Sequence, residues 1–429
     1  MISRSELGDR QWAQLRDLLR ALIPANRFYS AKLAGCGGLE GIASLADYTR
    51  LVPFTTKQEL ADNQMAHPPF GTNLTFPLER YTRFHQTSGT TGQPLRWLDT
   101  QESWEAMLEG WIDVFRAAAV QPGDRVLFAF TFGPFIGFWM AFEAATRLGC
   151  LCLPGGGLTS AARLGMIIDN RVTVVCCTPT YAARLAEVAV EEKIALADAR
   201  VRVLVVAGEP GGSIPAVRER LERLWGGARV FDHHGMTEVG PVTYECPMRP
   251  GRLHVIESSY LAEVIDSDTG EPAQDGRQGE LILTTLRRTG SPLLRYRTGD
   301  LVRARTRAEG RCVCDRVELA LEGGILGRVD DMVIVRGVNL FPAAVEEIVR
   351  RLPEIAEFRV EIETAHNLDE LRLSIEPVAG YPETAGLVRR LQKLLQDAFA
   401  LRVPVNSVAP GTLPRFEMKA GRWIRKTDK

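Results

Sequence analysis

Between residues 101 and 240 the apolar residues fall in short unbroken runs, RVLFAF, CLCLP, VTVVCC and VRVLVVAGE, with helical patterns between them at Ser160 to Asp169 and Tyr181 to Lys193. A strand buried on one face alternates apolar and polar side chains, whereas one covered on both faces does not, so continuous runs separated by helices predict a parallel sheet with helices on both sides. Cys176 and Cys177, and equally Cys150 and Cys152, read as buried strand residues. The same reasoning disposes of a membrane helix at Val126 to Phe142, the most apolar stretch. It is too short for the roughly 20 residues a span needs and is interrupted by Thr131, Gly133, Pro134 and Gly137.

Past Leu253 the texture changes to alternation and turn dipeptides, AEVIDSDTGEP, DGRQGELILTTL and SPLLRYRTGDLVRAR, which predict antiparallel strands in a β subdomain. Past Gly327 it changes again: strand-like MVIVRG, a helix opened by Pro342 and closed by Pro353, strand-like EFRVEIE and ELRLSIEPV, a helix from Thr384 to Ala400, then a basic tail. At 429 residues the chain exceeds what one core usually supports. The expected class is α/β, with a large N-terminal domain over 1–327 and a small α+β domain over 328–429. No internal repeat is found.

A net charge of −1 gives no long-range attraction for nucleic acid or an anionic membrane, so any anion site must be local. The first 22 residues read as an amphipathic helix rather than a signal peptide. Eight unevenly spaced cysteines make a reduced, cytoplasmic setting the default, and homodimerisation stays open.

The sharpest local signal is Thr87-Ser88-Gly89-Thr90-Thr91-Gly92, followed by Gln93-Pro94. Its hydroxyls and backbone N–H groups can wrap a polyphosphate without steric obstruction, although such a run can also be a plain polar turn. The GxxxxGK[ST] spacing is absent. In Asp232-His233-His234-Gly235-Met236-Thr237-Glu238, Thr237 could donate to a phosphate and Glu238 could hold Mg²⁺; a helix cap would look the same. Asp300, after Gly299 at a strand end, could accept both ribose hydroxyls. Gly327-Arg328-Val329-Asp330-Asp331 falls at the expected boundary and suits a hinge.

In this order, TSGTTGQP, AGEPGGS, HHGMTE, RYRTGDL, GRVDDMVIVRGVNLFP and PRFEMKAGR resemble the adenylate-forming superfamily, and phenylacetate-CoA ligases above all. The resemblance runs from about residue 45 to 422. It implies an acyl-adenylate made from ATP, Mg²⁺ and a small, aromatic carboxylic acid, then a thioester with coenzyme A, which would enter near Arg336 to Asn339. It further implies that Thr87 to Gly92 hold the phosphates, and that Gly208, Glu209, Pro210 and the Asp232–His233 region border the adenine. Thr237 would meet the α-phosphate, Glu238 would ligate Mg²⁺, Asp300 would bind ribose, and Arg328 would reach ribose or phosphate. Asp330 would be the hinge. Lys419 would contact the carboxylate and α-phosphate, where an ammonium offsets the repulsion between two anions; the bland reading is a solvated basic tail.

Phe132, Phe135, Ile136 and Phe138 stand where relatives place the wall of an aromatic pocket, though some would simply fill the core, and His234 would orient the acid. The chain departs from the phenylacetate pattern at Gln93, usually Lys, and Gly299, often Arg. Other acceptors stay open as alternatives: a carrier-protein thiol, an amine, or activation of a small inorganic acid. A nucleotide-binding regulator without catalysis is a further reading, against which Glu238 and Lys419 speak. Separately, Cys246, His254, Cys312 and Cys314 could close a tetrahedral zinc site, a C-x7-H and a C-x-C on neighbouring β segments.

Overall fold

The computed structural model describes residues 2–36, 41–87, 93–137, 139–305, 311–336, 338–365, 368–417 and 419–426. Ser88 to Gly92 and Phe138, singled out above, lie outside them.

The four apolar runs, with a fifth strand at Arg229–Asp232, form one parallel sheet in the order Leu151–Pro154, Arg125–Phe128, Val174–Cys177, Val203–Val206, Arg229–Asp232. Val126, Phe128, Val174, Cys176, Val203 and Val205 face a core shared with the helices Gln101–Ala117 and Trp139–Arg147. Their alternates Leu127, Val175, Cys177, Leu204 and Val206 face a second core, with Leu164, Ile167, Tyr181, Leu185 and Leu221 of the helices Ser160–Asp169, Pro179–Glu191 and Pro215–Leu224. The inner strands thus bury both faces, which is why their sequences do not alternate. Cys150 and Cys152 depart from the expectation: both are only half-buried and Leu151 is 57% exposed. Their strand has a neighbour on one side only, so the run there is apolar without being enclosed.

A six-stranded antiparallel sheet follows, ordered Thr243–Glu245, Arg252–Val255, Ala320–Arg328, Tyr296–Ala304, Gln278–Thr285, Tyr260–Ile265. Its register sets Asp300 directly opposite Arg328. The N-terminal helix Arg4–Leu22 starts at a capping box of Ser3 and Glu6, and its Leu15, Leu18, Leu19 and Leu22 share a cluster with Leu261, Leu286 and Leu294 of this sheet region. From Val333 onward a third sheet and the helices Pro342–Arg350 and Thr384–Phe399 enclose a core of their own, with Phe358, Leu373, Leu391 and Leu395 at its centre. Among the described residues no helix is long and apolar enough to cross a membrane.

Two buried histidines make stability depend on acidity. His85, stacked on Trp104 with centroids 5.2 Å apart, is pushed by burial from 6.5 to about 4, and burial takes His233 to about 3. The unfolded chain takes up these protons from about pH 6.5 downward while the folded chain does not. Stability is therefore present above 6.5 and lost as pH falls towards 4. Each group contributes a slope of up to about 1.4 kcal/mol per pH unit. His85→Phe, which keeps the stacking, is expected to flatten the melting temperature against pH between 6.5 and 4, as read by thermal unfolding.

Candidate active site

The loop at Thr87 springs from a two-stranded ribbon, Tyr81–Gln86 against Arg96–Thr100. Thr87 closes its base: its N–H donates to the Leu95 carbonyl at 2.9 Å, and its Oγ1 accepts from the Leu95 N–H at 3.0 Å. The buried threonine is thus first a staple that returns the chain on itself.

The other loops leave the carboxyl ends of adjacent parallel strands, where open α/β sheets form their ligand crevices. After Val203–Val206 comes Gly208, at φ +95°, and a Cβ placed there would lie 3.7 Å from Lys419 Cε. The lysine therefore lies over this glycine. Beside it, the half-buried Glu209 carboxylate accepts from the Thr180 and Ala420 N–H groups, both at 2.8 Å, and so ties the C-terminal segment to the large sheet. Burial raises its pKa, these two N–H contacts opposing the rise.

After Arg229–Asp232, the Asp232 carboxylate accepts from the Ser213 hydroxyl, and burial raises its pKa. His233 is neutral: its Nδ1 lies 2.6 Å from the Thr243 carbonyl and its ring rests on Trp111 at 4.2 Å. Next along the chain, His234 turns the other way. Its Nε2 comes to 3.0 Å of Asp300 Oδ2, a close contact without hydrogen-bond alignment.

Asp300 is almost fully enclosed, and its Oδ1 lies 3.0 Å from Arg328 Nη1. Burial opposes its ionisation, but His234 and Arg328 outweigh burial and hold the carboxyl below its ordinary range. Gly299 makes this possible. At φ +75°, a Cβ on it would meet Arg328 Nη2 at 2.9 Å, so a side chain at 299 would displace the guanidinium. Arg328 also grips Asp330 at 2.8 Å.

Three residues escaped sequence reasoning. The carbonyls of Thr237 and Glu238 both accept from Arg288 Nη1, at 2.9 and 2.7 Å. Arg288 is held in turn by a two-point pair with Asp99 at 2.7 and 2.6 Å, both side chains being buried, and it lies over Trp97. Lys57 Nζ stands 3.8 Å from Glu238 Oε1. The only signal in the sequence is Asp99 within RWLDT, an acid directly after Trp97 and Leu98 that needs a partner if the strand is buried.

The aromatic segment leaves Arg125–Phe128, the strand at which the sheet order reverses. Of the three described candidates, Phe132 joins an aromatic group, edge-on to Trp139 at 4.8 Å and to Phe142 at 5.6 Å. Ile136 belongs to the core beneath, and Phe135 is 38% exposed. On the small lobe Arg336 is exposed and pairs with Glu370. Cys246, His254, Cys312 and Cys314 come together on the antiparallel sheet.

The AMP-binding enzyme family matches residues 84–286, and the AMP-binding enzyme C-terminal domain matches 337–426. A phenylacetate-coenzyme A ligase of Thermus thermophilus is 31% identical over 437 residues, 97% of this chain and 95% of that protein. Solved structures of a 2-hydroxyisobutyryl-CoA ligase superpose over 99% of this chain and 90% of theirs. In the postadenylation state with an acyl-AMP the TM-score is 0.93 at 28% identity; in the thioesterification state, with 2-HIB-AMP and CoA, it is 0.74 at 29%. Coverage and identity hardly change between the two states, so the drop reflects how the parts are set, and this chain is set as in the first. The chain belongs to the AMP-binding enzymes, in the group of the phenylacetate-coenzyme A ligases, and is an AMP-forming acid–thiol ligase.

Proposed function

We propose that the chain converts a small aromatic carboxylic acid and ATP to an acyl-adenylate and pyrophosphate, then transfers the acyl group to the thiol of coenzyme A with release of AMP. The observation that carries this reading is Lys419 lying over Gly208 at the carboxyl ends of the parallel strands. A carboxylate approaching a triphosphate is repelled, and an ammonium between them stabilises the charge that develops as the carboxylate oxygen attacks the α-phosphorus. No covalent help is needed for that step, so position and charge supply the catalysis.

The remaining groups take roles consistent with their surroundings. The Thr87 turn and the loop it closes receive the phosphates. The Gly208-Glu209-Pro210 segment and the Asp232–His233 strand end border the adenine. Thr237 donates to the α-phosphate. The Glu238 carboxylate, nearly enclosed beside Lys57, suits Mg²⁺, which takes one or two carboxylates plus phosphate oxygens and would screen the phosphate charge there. His234, steadied by Asp300, orients the acid, and Phe132 offers a flat apolar wall to an aryl group.

Asp300 receives the ribose hydroxyls. Arg328 faces one of its oxygens and the His234 ring the other, and a carboxylate has about four acceptor positions, so room remains. Asp300→Asn is expected to raise the ATP KM about tenfold or more, the effect of losing a charge-assisted hydrogen bond worth ~1.5–3 kcal/mol. Pyrophosphate release at saturating acid measures this, and an unchanged KM removes Asp300 from the nucleotide site.

After adenylation the small lobe turns about Asp330, withdrawing Lys419 and admitting coenzyme A near Arg336 to Asn339. A panel of aromatic and heteroaromatic acids, scored for pyrophosphate release and for acyl-CoA by mass spectrometry, tests the whole reading. Release with at least one acid, and the matching thioester, is expected. Release without thioester would move the acceptor to a carrier thiol or an amine, and no release with any acid would defeat the aromatic assignment.

A further inference from the structure

We propose that Cys246, His254, Cys312 and Cys314 bind one structural Zn²⁺, a site separate from the nucleotide chemistry and independent of it. All four ligand atoms lie within 4.8 Å of one another. Two of the spacings come close to those of a tetrahedron, for Zn–S and Zn–N bonds of about 2.3 and 2.0–2.1 Å imply S···S near 3.8 Å and S···N near 3.6 Å. Cys246 Sγ stands 3.7 Å from Cys312 Sγ, and Cys314 Sγ stands 3.3 Å from His254 Nε2. A disulfide would need about 2.05 Å, and both sulfurs are free.

The backbone holds the ligands at the right places. Cys246 follows the strand Thr243–Glu245, and its N–H donates to the Arg252 carbonyl at 2.8 Å, so His254 on the paired strand falls beside it. Cys312 and Cys314 lie on the excursion between the strands that carry Asp300 and Arg328. There Asp315, at φ +65°, turns the chain so that the Cys312 N–H donates to the Arg316 carbonyl at 2.7 Å and the Asp315 N–H to the Cys312 carbonyl at 2.8 Å. This tight turn aims two thiols in one direction.

The surroundings complete a metal site. His254 Nδ1 faces the Glu318 carbonyl at 3.4 Å, which leaves Nε2 as the ligand atom, the usual arrangement behind a zinc-bound imidazole. Three thiolates and Zn²⁺ carry a net charge of −1, and the buried Arg252 points Nη1 at Cys312 Sγ from 3.2 Å to offset it. Four protein ligands fill the coordination shell, leaving no open position for a water or substrate, so the metal would be structural rather than catalytic. It would tie the Arg311–Glu318 excursion to the Arg252–Val255 strand.

Metal analysis of the full chain, purified without chelators or a nickel column, is expected to find about one zinc per chain. Metal-stripped protein refilled with Co²⁺ should show the visible absorption of tetrahedral thiolate-bound cobalt. Cys314→Ser should lose most of the zinc and melt several degrees lower, and a chelator should lower the wild-type melting temperature but not that of the variant. Should Cys314→Ser fail to fold, the cobalt spectrum of the wild type still decides. Negligible zinc both as purified and after incubation with Zn²⁺, a Cys246–Cys312 disulfide in freshly purified protein, or full zinc retention by Cys314→Ser would each overturn the proposal.

Discussion

Lys419→Ala is expected to slow acid-dependent pyrophosphate release about 100- to 1,000-fold, the ~2.7–4 kcal/mol that one preorganised charge-stabilising group contributes in an enclosed site. Thioester formation from a synthetic acyl-adenylate and coenzyme A should stay within a few-fold of the unaltered enzyme. The contrast follows from the placement of Lys419 over Gly208, on a segment held to the large lobe only by contacts such as Ala420 to Glu209. A group that serves one half-reaction and leaves for the other must affect them unequally. Equal losses in both steps would mean that the substitution disturbs the fold, and no loss in the first would remove the role proposed for Lys419.

The second large effect concerns the Arg288–Asp99 pair. Arg288→Met strands a buried carboxylate and frees two buried carbonyls, those of Thr237 and Glu238. Breaking one partner of a buried pair costs about 3–5 kcal/mol. The melting temperature should therefore fall on the order of 10 °C, and the protein that remains folded should bind ATP with Mg²⁺ more weakly, because the Thr237–Glu238 turn has lost its support. Replacing both partners, Arg288→Met with Asp99→Leu, should recover part of the stability but not the ATP affinity, since the carbonyls stay unheld. Calorimetry and ATP titration separate the two effects. A single variant that melts with the unaltered protein would show the pair to be dispensable.

Much of the architecture was legible in the sequence, and the parts that were not share a cause. The central strands could be read because burial on both faces removes alternation, a local signature that Val174–Cys177 and Val203–Val206 carry plainly. Cys150 and Cys152 misled because composition reports what a strand can tolerate, whereas exposure depends on whether a neighbour pairs with its far edge. Asp300 and Arg328 were singled out from separate motifs, but only the register shows them as cross-strand partners, with Gly299 vacated for the guanidinium. The roles of Lys57, Asp99 and Arg288 could not have been read, because each acts through residues 50 or more positions away that no local pattern specifies, and Asp99 announces only that it needs a partner. The cysteines and His254 lie between these cases: their spacing suggested a metal, and the fold brings the two pairs together.

The account rests on a small lobe that serves adenylation in the pose described here and must leave it for thioester formation. The helices Pro215–Leu224 and Pro342–Arg350 meet across the lobes in this pose, with the Ala216 N–H 3.3 Å from Glu347 Oε2. A short bis-maleimide cross-linker with a reducible disulfide in its spacer, joining Ala216→Cys to Glu347→Cys, would lock them. The locked enzyme should keep acid-dependent pyrophosphate release in a single turnover and lose acyl-CoA formation, with dithiothreitol restoring the second step. A locked enzyme that makes acyl-CoA at the reduced enzyme's rate would contradict the account.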